Sequence, residues 1–199
     1  MSAGESAEAG RSTGGDDSDL AHAANVLVLS GRLDSDARAT YVEELVSVDL
    51  SNLLVVSFAD DPARWLENWH SVTDPPETAV LVEGVERDDG DDRPGVERVL
   101  EEPADLTGLG ITVSERLTDW GSDSLLIFES LTVLLEHVEL KRAFRFLHVL
   151  VNRVKATGST AHYHLDPGEH DDRTIATLTS LFDAVVTYED GHWQESTWP

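Results

Sequence analysis

The stretch from Asp123 to Asp166 constrains the fold more than any other part of the chain. It begins with a short apolar run, residues 124–128, which ends in the acid Glu129 and leads into a long segment with helical periodicity. A second short run then ends in the sequence His162-Tyr-His-Leu-Asp166. Two short buried runs around a helical segment predict a right-handed β-α-β crossover with parallel strands. The rest of the chain is expected to pack around this unit.

Apolar runs of strand length recur on both sides of that unit. They cover residues 25–30, 53–58, 78–82, 160–165 and 184–188, with helical stripes between them. This alternation predicts an α/β fold of three layers, in which a mostly parallel sheet carries helices on both faces. Asp190-Gly191 predicts a tight turn, and therefore a C-terminal hairpin that leads into His192-Trp193.

The helical stripes differ in clarity. Residues 37–48 and 170–182 are predicted helices, and Pro62 opens another that carries Trp65, Leu66 and Trp69. Residues 96–120 have a weaker pattern, with one helical stripe that Gly108 and Gly110 interrupt. Residues 131–156 are too long for one typical helix, and we expect a break at residues 137–140 and a stop at Gly158. Residues 86–94 have no period and are predicted to be a loop.

The N-terminal segment differs in composition from everything that follows. Residues 1–23 consist mainly of Gly, Ser, Ala and acidic residues without an apolar period, so they cannot bury enough surface to offset the entropy of ordering. We therefore predict a disordered acidic tail over residues 1–23 and a single domain over residues 24–199.

The charge of the chain is strongly negative. Acidic residues outnumber basic ones by 39 to 14, which gives a formal charge of −25, and Lys141 and Lys155 are the only lysines. Such a surface is typical of halophilic proteins, because molar salt screens the self-repulsion of dense carboxylates. It also argues against nucleic-acid binding, which needs a basic footprint.

Missing residue types narrow the chemistry further. The chain has no cysteine, which excludes disulfides and thiolate catalysis and leaves His, Asp and Glu as metal ligands. No apolar run reaches the roughly 18 residues that span a membrane, and the N-terminus lacks the pattern of a secretory signal. We expect a cytoplasmic protein without a membrane partner.

Ligands of open α/β sheets bind beyond the carboxyl ends of the strands, where Glu129, Ser130, His164 and Asp166 are expected. Gly31 follows the first strand, in the place of a phosphate-binding loop. When Gly31 is taken as the first glycine of G-x-x-x-x-G-K-[ST], the last three positions fall on Asp36-Ala-Arg38. The pattern therefore lacks the lysine that reaches the phosphates and the hydroxyl that holds magnesium, and the nearby aspartates would repel an anion.

Four segments together resemble a haloarchaeal family of unassigned function, which is itself similar to the RecA/KaiC-like P-loop ATPases. They are residues 124–135, 142–148, 162–167 and 177–183. The resemblance implies a degenerate RecA/KaiC-like fold from Asn25 onward. It places Glu129 at the Walker B position, where active relatives hold magnesium through an aspartate, whereas their Walker A element has no counterpart around Gly31.

Two interpretations apply to the edge residues. Gly31, Glu129 and Ser130 form a vestigial site for ATP and magnesium, or Glu129 ends a buried strand and Ser130 caps the next helix. We favour the second interpretation, because one carboxylate without a phosphate cradle rarely holds magnesium. No catalytic residue is assigned.

The histidine-rich strand also has two interpretations. His162 and His164 point to one face of a strand, with Asp166 at the same edge, and this set resembles part of the metal motifs of metallo-β-lactamases and amidohydrolases. His170 and Asp171 could add ligands, although Pro167 stands where the metallo-β-lactamase pattern has its next histidine. Histidines hydrogen-bonded beneath a helix are the more common case.

Basic residues concentrate in one predicted helix, as Lys141, Arg142, Arg145, Arg153 and Lys155. They either pair with nearby acids and complement the end of the helix, or form a docking surface for an acidic partner. Tryptophans are expected in the core or at its rim rather than in a stacking platform; they are Trp65, Trp69, Trp193 and Trp198.

The sequence as a whole predicts a non-catalytic RecA/KaiC-like domain that acts as a regulatory, signalling or protein-interaction module in a halophilic archaeon. A protein partner or self-association is expected, and no cofactor is predicted. A divergent ATPase that binds ATP with magnesium is the first alternative. A metal-dependent hydrolase built on His162, His164 and Asp166 is the second.

Overall fold

The structure is a computed structural model that describes residues 19–31, 33–46, 52–58, 77–83, 96–100 and 105–196. In this part of the chain, eight strands form one sheet in the order β4-β3-β2-β5-β6-β1-β7-β8. The strands are β1 Asn25–Leu29, β2 Asn52–Ser57, β3 Glu77–Glu83, β4 Val96–Leu100, β5 Ser124–Glu129, β6 Thr160–Leu165, β7 Ala184–Glu189 and β8 His192–Glu195. The helices are α1 Ser35–Leu45, α2 Leu106–Trp120, α3 Leu131–His137, α4 Leu140–Thr157 and α5 Asp172–Thr179.

The sheet is parallel except for its last strand. β1 pairs in parallel with both β6 and β7, and β2 pairs in parallel with both β3 and β5. β8 returns antiparallel to β7 through a turn at Asp190 and Gly191, whose φ values of 52° and 85° explain the choice of these residue types. The prediction of a mostly parallel α/β sheet with a C-terminal hairpin is confirmed.

Both faces of the sheet are covered, so the central strands are apolar on both sides. One face packs against α2, α3, α4 and α5, with residues such as Leu27, Phe128 and Tyr163 at the interface. The opposite face packs against α1 through Tyr41, whose ring also contacts Trp193 of β8.

Side-chain caps start most of the helices. Asp34, Asp105, Ser130 and Asp171 each accept a hydrogen bond from a backbone amide in the first turn of the helix that follows. Such caps contribute on the order of 1 kcal/mol each. Gly158 ends α4 in the left-handed conformation, with φ 73°, as predicted.

Several predicted boundaries agree with the structure. The long segment after Glu129 breaks between α3 and α4 at Val138 and Glu139, which is where a break was expected. The buried face of α4 consists of Ala143, Leu147, Leu150, Val151 and Val154.

Three further features differ from the sequence prediction. Residues 96–100 form strand β4, although no strand was predicted there, and α2 runs through Gly108 and Gly110 without a break. Asp19–His22 form a short 3-10 turn, and Leu20 packs against the core, so ordered structure begins inside the predicted tail. The apolar Leu20 is the physical reason for that earlier start.

Some predictions lie outside the described residues. These are the helix that follows Pro62, the loop at residues 86–94, Trp198 and the greater part of the N-terminal tail. Within the described ranges, none of the helices combines the length and the apolar character needed to cross a membrane.

Candidate functional site

The strands β1 and β6 end beside each other at a point where the chain leaves the sheet in opposite directions. β1 leads into α1, which packs on one face through Tyr41, whereas β6 leads into α5, which packs on the other face through Ile175 and Leu178. Such a switch point opens a crevice beyond the carboxyl ends of the strands. The candidate site is this crevice.

A carboxylate lies beside the loop that follows β1. The carboxylate of Asp166 accepts a hydrogen bond from the Gly168 amide over 2.9 Å, and the Asp166 amide donates to Oγ1 of Thr132 over 2.9 Å. A Cβ atom placed on Gly31 would lie 3.5 Å from Oδ2 of Asp166. Gly31 and Asp166 are therefore neighbours. The carboxylate of Asp166 places a negative charge where a phosphate-binding loop would have to bind the negatively charged phosphate.

The N-terminus of α1 is capped by acid as well. Asp34 accepts a hydrogen bond from the Ala37 amide over 2.9 Å, and Asp36 is exposed in the first turn. Backbone amides at a helix N-terminus attract anions. In this chain a carboxylate already accepts from one of those amides.

Glu129 ends a strand and Ser130 caps the next helix, as one of the two interpretations of the sequence expects. Glu129 is the last residue of β5 and is half-buried, and the Ser130 hydroxyl caps α3 by accepting from the Val133 amide over 3.3 Å. The peptide bond between them is cis. Glu129 and Ser130 lie at the carboxyl ends of the parallel strands, as Gly31 does. β6 lies between β5 and β1.

His162 and His164 lie beneath α1 rather than in the crevice. Both are buried on the face that packs against α1, and Nδ1 of His162 is hydrogen-bonded to the Tyr41 hydroxyl over 2.6 Å. The ring of Tyr41 makes edge contacts with His164 and Trp193, with centroids 5.2 Å and 5.5 Å apart. Nε2 of His164 and Nε1 of Trp193 are buried, and neither has a hydrogen-bond partner in the described part of the protein.

Burial controls the ionisation of this cluster. Desolvation, with a contribution from neighbouring His164, lowers the pKa of His162 from 6.5 to about 3. Desolvation and the positive charge of Arg38 lower the pKa of His164 to about 4. Burial, and then the negative charge of Glu129, raise the pKa of Tyr41. Both imidazoles and the phenol are therefore neutral near pH 7.

The structure does not bring the proposed metal ligands together. His162 and His164 point into the core, whereas the Asp166 carboxylate faces Gly31 and Gly168 at the sheet edge. Nε2 of His170, a further proposed ligand, lies 3.3 Å from Oγ1 of Thr132. Among the residues that the structure describes, no three His, Asp or Glu side chains are grouped so that they could hold a metal ion.

The basic residues of α4 have different surroundings. Lys155 forms an ion pair with Asp183, and Arg153 donates to the Ser114 carbonyl and to the Thr118 hydroxyl of α2. Arg142 and Arg145 lie on the exposed side of α4. Lys155 and Arg153 thus have partners within the chain, whereas Arg142 and Arg145 are exposed to solvent.

Sequence reasoning missed a groove between α2 and α4. Its volume is about 960 Å³, and Ile111 of α2 and Val149 of α4 line it. The stripe of basic residues on α4 was visible in the sequence, but the residues of α2 that complete the groove are remote in the chain. No local pattern could have linked them.

Comparisons with known proteins identify a family but not an activity. A solved protein of Pyrococcus horikoshii OT3, from a structural study of Project ID PH0250, is similar in fold, with a TM-score of 0.55 and 13% sequence identity. The similarity covers 87% of this chain and 85% of that one. No curated protein matches the chain. The chain belongs to the Family of unknown function (DUF7504), whose model matches residues 23–188.

Proposed function

We propose that the protein is a non-catalytic RecA/KaiC-like domain that serves as a regulatory or protein-interaction module in a halophilic archaeon. Support for the likeness to those ATPases comes from the residues at the carboxyl ends of the parallel strands. Glu129 ends β5 and Gly31 follows β1, and these two strands flank β6, which is the arrangement needed for an acid and a phosphate loop to meet one magnesium nucleotide. In this proposal the chain keeps the strand order of those ATPases, whereas the residues at the carboxyl ends of its strands no longer suit a phosphate.

The observation that carries the proposal is the acidic lining of the crevice. Asp166 faces Gly31, Asp34 caps α1 and Asp36 follows in its first turn. A triphosphate placed there would meet carboxylates at short range, where like charges repel strongly once water is excluded. Both lysines of the chain lie on α4, and neither lies in the loop that follows β1.

Support for an interaction role comes from the groove between α2 and α4. Ile111 is 55% exposed and Val149 is 67% exposed, and both line the same groove. Apolar side chains that are exposed together mark surfaces that a partner covers. This exposed apolar pair supports an interaction role, and the carboxylates beside Gly31 argue against a phosphate site.

Calorimetric titration of ATP with magnesium in multimolar KCl tests this proposal. We expect no saturable binding heat and no release of phosphate, because the crevice repels the anion. Tight binding with turnover would overturn the proposal and favour the divergent ATPase, with an arginine or lysine supplied from elsewhere in the chain or from a neighbouring subunit.

Two variants show whether any binding of ATP and magnesium occurs at the carboxyl ends of the strands. Glu129→Gln removes the acid at the Walker B-like position, whereas Asp123→Asn removes one exposed carboxylate at the opposite end of β5. If the protein does bind ATP and magnesium, loss of binding in Glu129→Gln but not in Asp123→Asn locates the magnesium at the crevice. Identical null titrations in all three proteins agree with the proposal.

A further inference from the structure

The groove between α2 and α4 is formed by two helices that run in the same direction. Gly110 of α2 lies against Phe146 of α4, since a Cβ atom on the glycine would lie 3.5 Å from that ring. Farther along both helices, Arg153 of α4 donates hydrogen bonds to the Ser114 carbonyl and the Thr118 hydroxyl of α2. Because these contacts advance together, each residue that lines the groove can be assigned a position along its length.

The charges of the groove are separated along that length. Arg145 precedes Phe146 in α4 and therefore lies near the end where Gly110 meets this ring. Glu115 and Asp119 lie on the turns of α2 that contact Arg153, toward the other end. From the rise of a helix, roughly 9 to 15 Å separate Arg145 from the two carboxylates along the groove. The groove therefore has one basic end and one acidic end.

Three of these charges are available to a partner. Arg145, Glu115 and Asp119 are exposed, and within the described ranges none of them takes part in an ion pair. Arg142 also lines the basic end but already interacts within the chain. At the acidic end Arg153 stands against two carboxylates, so that end keeps a net negative charge.

An apolar pair lies between the charged ends. Ile111 follows Gly110 in α2, and Val149 lies between Phe146 and Arg153 in α4. These two are the exposed large hydrophobic residues of the part of the chain that the structure describes. Covering them removes apolar surface from water, which is favourable. A complementary partner must therefore present apolar side chains between groups of opposite charge.

We propose that the groove binds one amphipathic helix of a partner protein. This helix has carboxylates at one end, apolar residues at i, i+3 or i+4 spacing in the middle, and basic residues at the other end. Its carboxylates contact Arg145, and its basic residues contact Glu115 and Asp119. A helix of about three turns spans the distance between the two charged ends. The inference rests on the proposed interaction role and names the chemistry of the partner.

The order of the charges distinguishes this helix from other occupants. A uniformly acidic partner would bring like charge to Glu115 and Asp119. A second copy of the chain does not match the order through a two-fold axis. An axis along the groove places the two basic ends together, and an axis across it places the arginines of one α4 near those of the other. Only a partner with its charges at opposite ends satisfies both ends of the groove.

Titration of a labelled, helix-stabilised peptide, followed by fluorescence anisotropy, tests the proposal. The peptide has about 14 residues, with glutamates in its first turn, leucines along one face and lysines in its last turn. KCl of about 1 M shortens the Debye length to about 3 Å, so that mainly contact pairs remain. We expect saturable binding. A uniformly acidic peptide, in which glutamates replace the lysines, should bind at least about tenfold more weakly.

Variants of the protein locate the bound peptide. Arg145→Glu should raise the dissociation constant of the first peptide at least about tenfold, whereas Arg173→Glu, the same change on exposed α5, should leave it unchanged. Val149→Asp should weaken binding at least about as much, whereas His148→Asp, at the preceding exposed position outside the groove, should not. Glu115→Lys should strengthen binding of the uniformly acidic peptide, because it removes the like charge that this peptide meets.

Three results would overturn the proposal. They are a wild-type protein that binds no peptide at concentrations up to about 1 mM, equal binding of the two peptides, and a dimer that Val149→Asp dissociates, which would assign the groove to a second copy. Absence of both peptide and ATP binding would contradict this inference alone. ATP turnover would contradict the proposed function whatever the peptides do.

Discussion

Tyr41 joins α1 to the central strands through buried contacts, one of which is a hydrogen bond to His162. Its hydroxyl lies 2.6 Å from Nδ1 of His162, and both residues are almost fully buried. Tyr41→Phe keeps the ring but leaves Nδ1 without this partner in a site that excludes water. We expect the free energy of unfolding to fall by about 1–3 kcal/mol, measured by urea denaturation at constant salt.

Tyr188→Phe is the matched control for that measurement. Tyr188 is half-buried against Trp193 and has no hydrogen bond from its hydroxyl in the described part of the chain, so the same deletion should be almost neutral. Equal effects in the two variants would show that the contact between Tyr41 and His162 adds nothing to stability.

The sequence could predict part of this cluster. The alternation of a strand places His162 and His164 on one face, and this follows from their spacing alone. Tyr41 is 121 residues from His162, so no local pattern indicates that the face lies beneath α1. The position of Asp166 was likewise predictable at the sheet edge, but its proximity to Gly31 depends on the pairing of β1 with β6.

At the scale of secondary-structure elements, the glycine that follows α4 and a glycine inside α2 give opposite predictions for the same substitution. Gly158 ends α4 with φ 73°, a conformation that costs an L-residue about 1–2 kcal/mol. Gly110 lies inside α2, and a Cβ there would lie 3.5 Å from Phe146, an ordinary contact. We expect Gly158→Ala to destabilise the protein by that amount and Gly110→Ala to stabilise it by up to about 1 kcal/mol.

Thermal or chemical unfolding of the two variants checks the difference in sign. Each adds one methyl group to α2 or α4, so their comparison isolates backbone conformation from side-chain chemistry. A stabilising Gly158→Ala would contradict the left-handed end of α4. A strongly destabilising Gly110→Ala would show that Phe146 cannot accommodate a methyl group.

The strands that are buried on both faces could be predicted from their continuous apolar sequences. β1, β2 and β5 lie inside the sheet with both faces covered, so they are continuous apolar runs in the sequence. β4 lies at the sheet edge and has the sequence Val-Glu-Arg-Val-Leu, in which charged residues break the run. Edge strands need fewer apolar residues, and their sequences are correspondingly harder to recognise.

For the whole molecule, topology supplies what local patterns cannot. The order of the strands decides that β1 and β6 end side by side and that α2 lies beside α4. Both the acidic crevice and the groove are products of that order. The fold class was therefore predictable from the alternation of elements, whereas the groove and the neighbours of each edge residue were not.

The net charge of −25 leads to the last prediction, which concerns salt. Folding gathers like charges that the unfolded chain holds farther apart, so low ionic strength should penalise the folded state. The Debye length falls from about 10 Å at 0.1 M to about 3 Å at 1 M, and most of the repulsion should be screened over that range. Above about 1 M, only salts that are excluded from the protein surface should stabilise further, because they strengthen apolar burial. We therefore expect a melting temperature that rises steeply to about 1 M KCl and then more gently, with sulfate more effective than chloride. A melting temperature that does not depend on salt would show that the acidic surface is not an adaptation to salt, and would leave the charge to be explained by a partner.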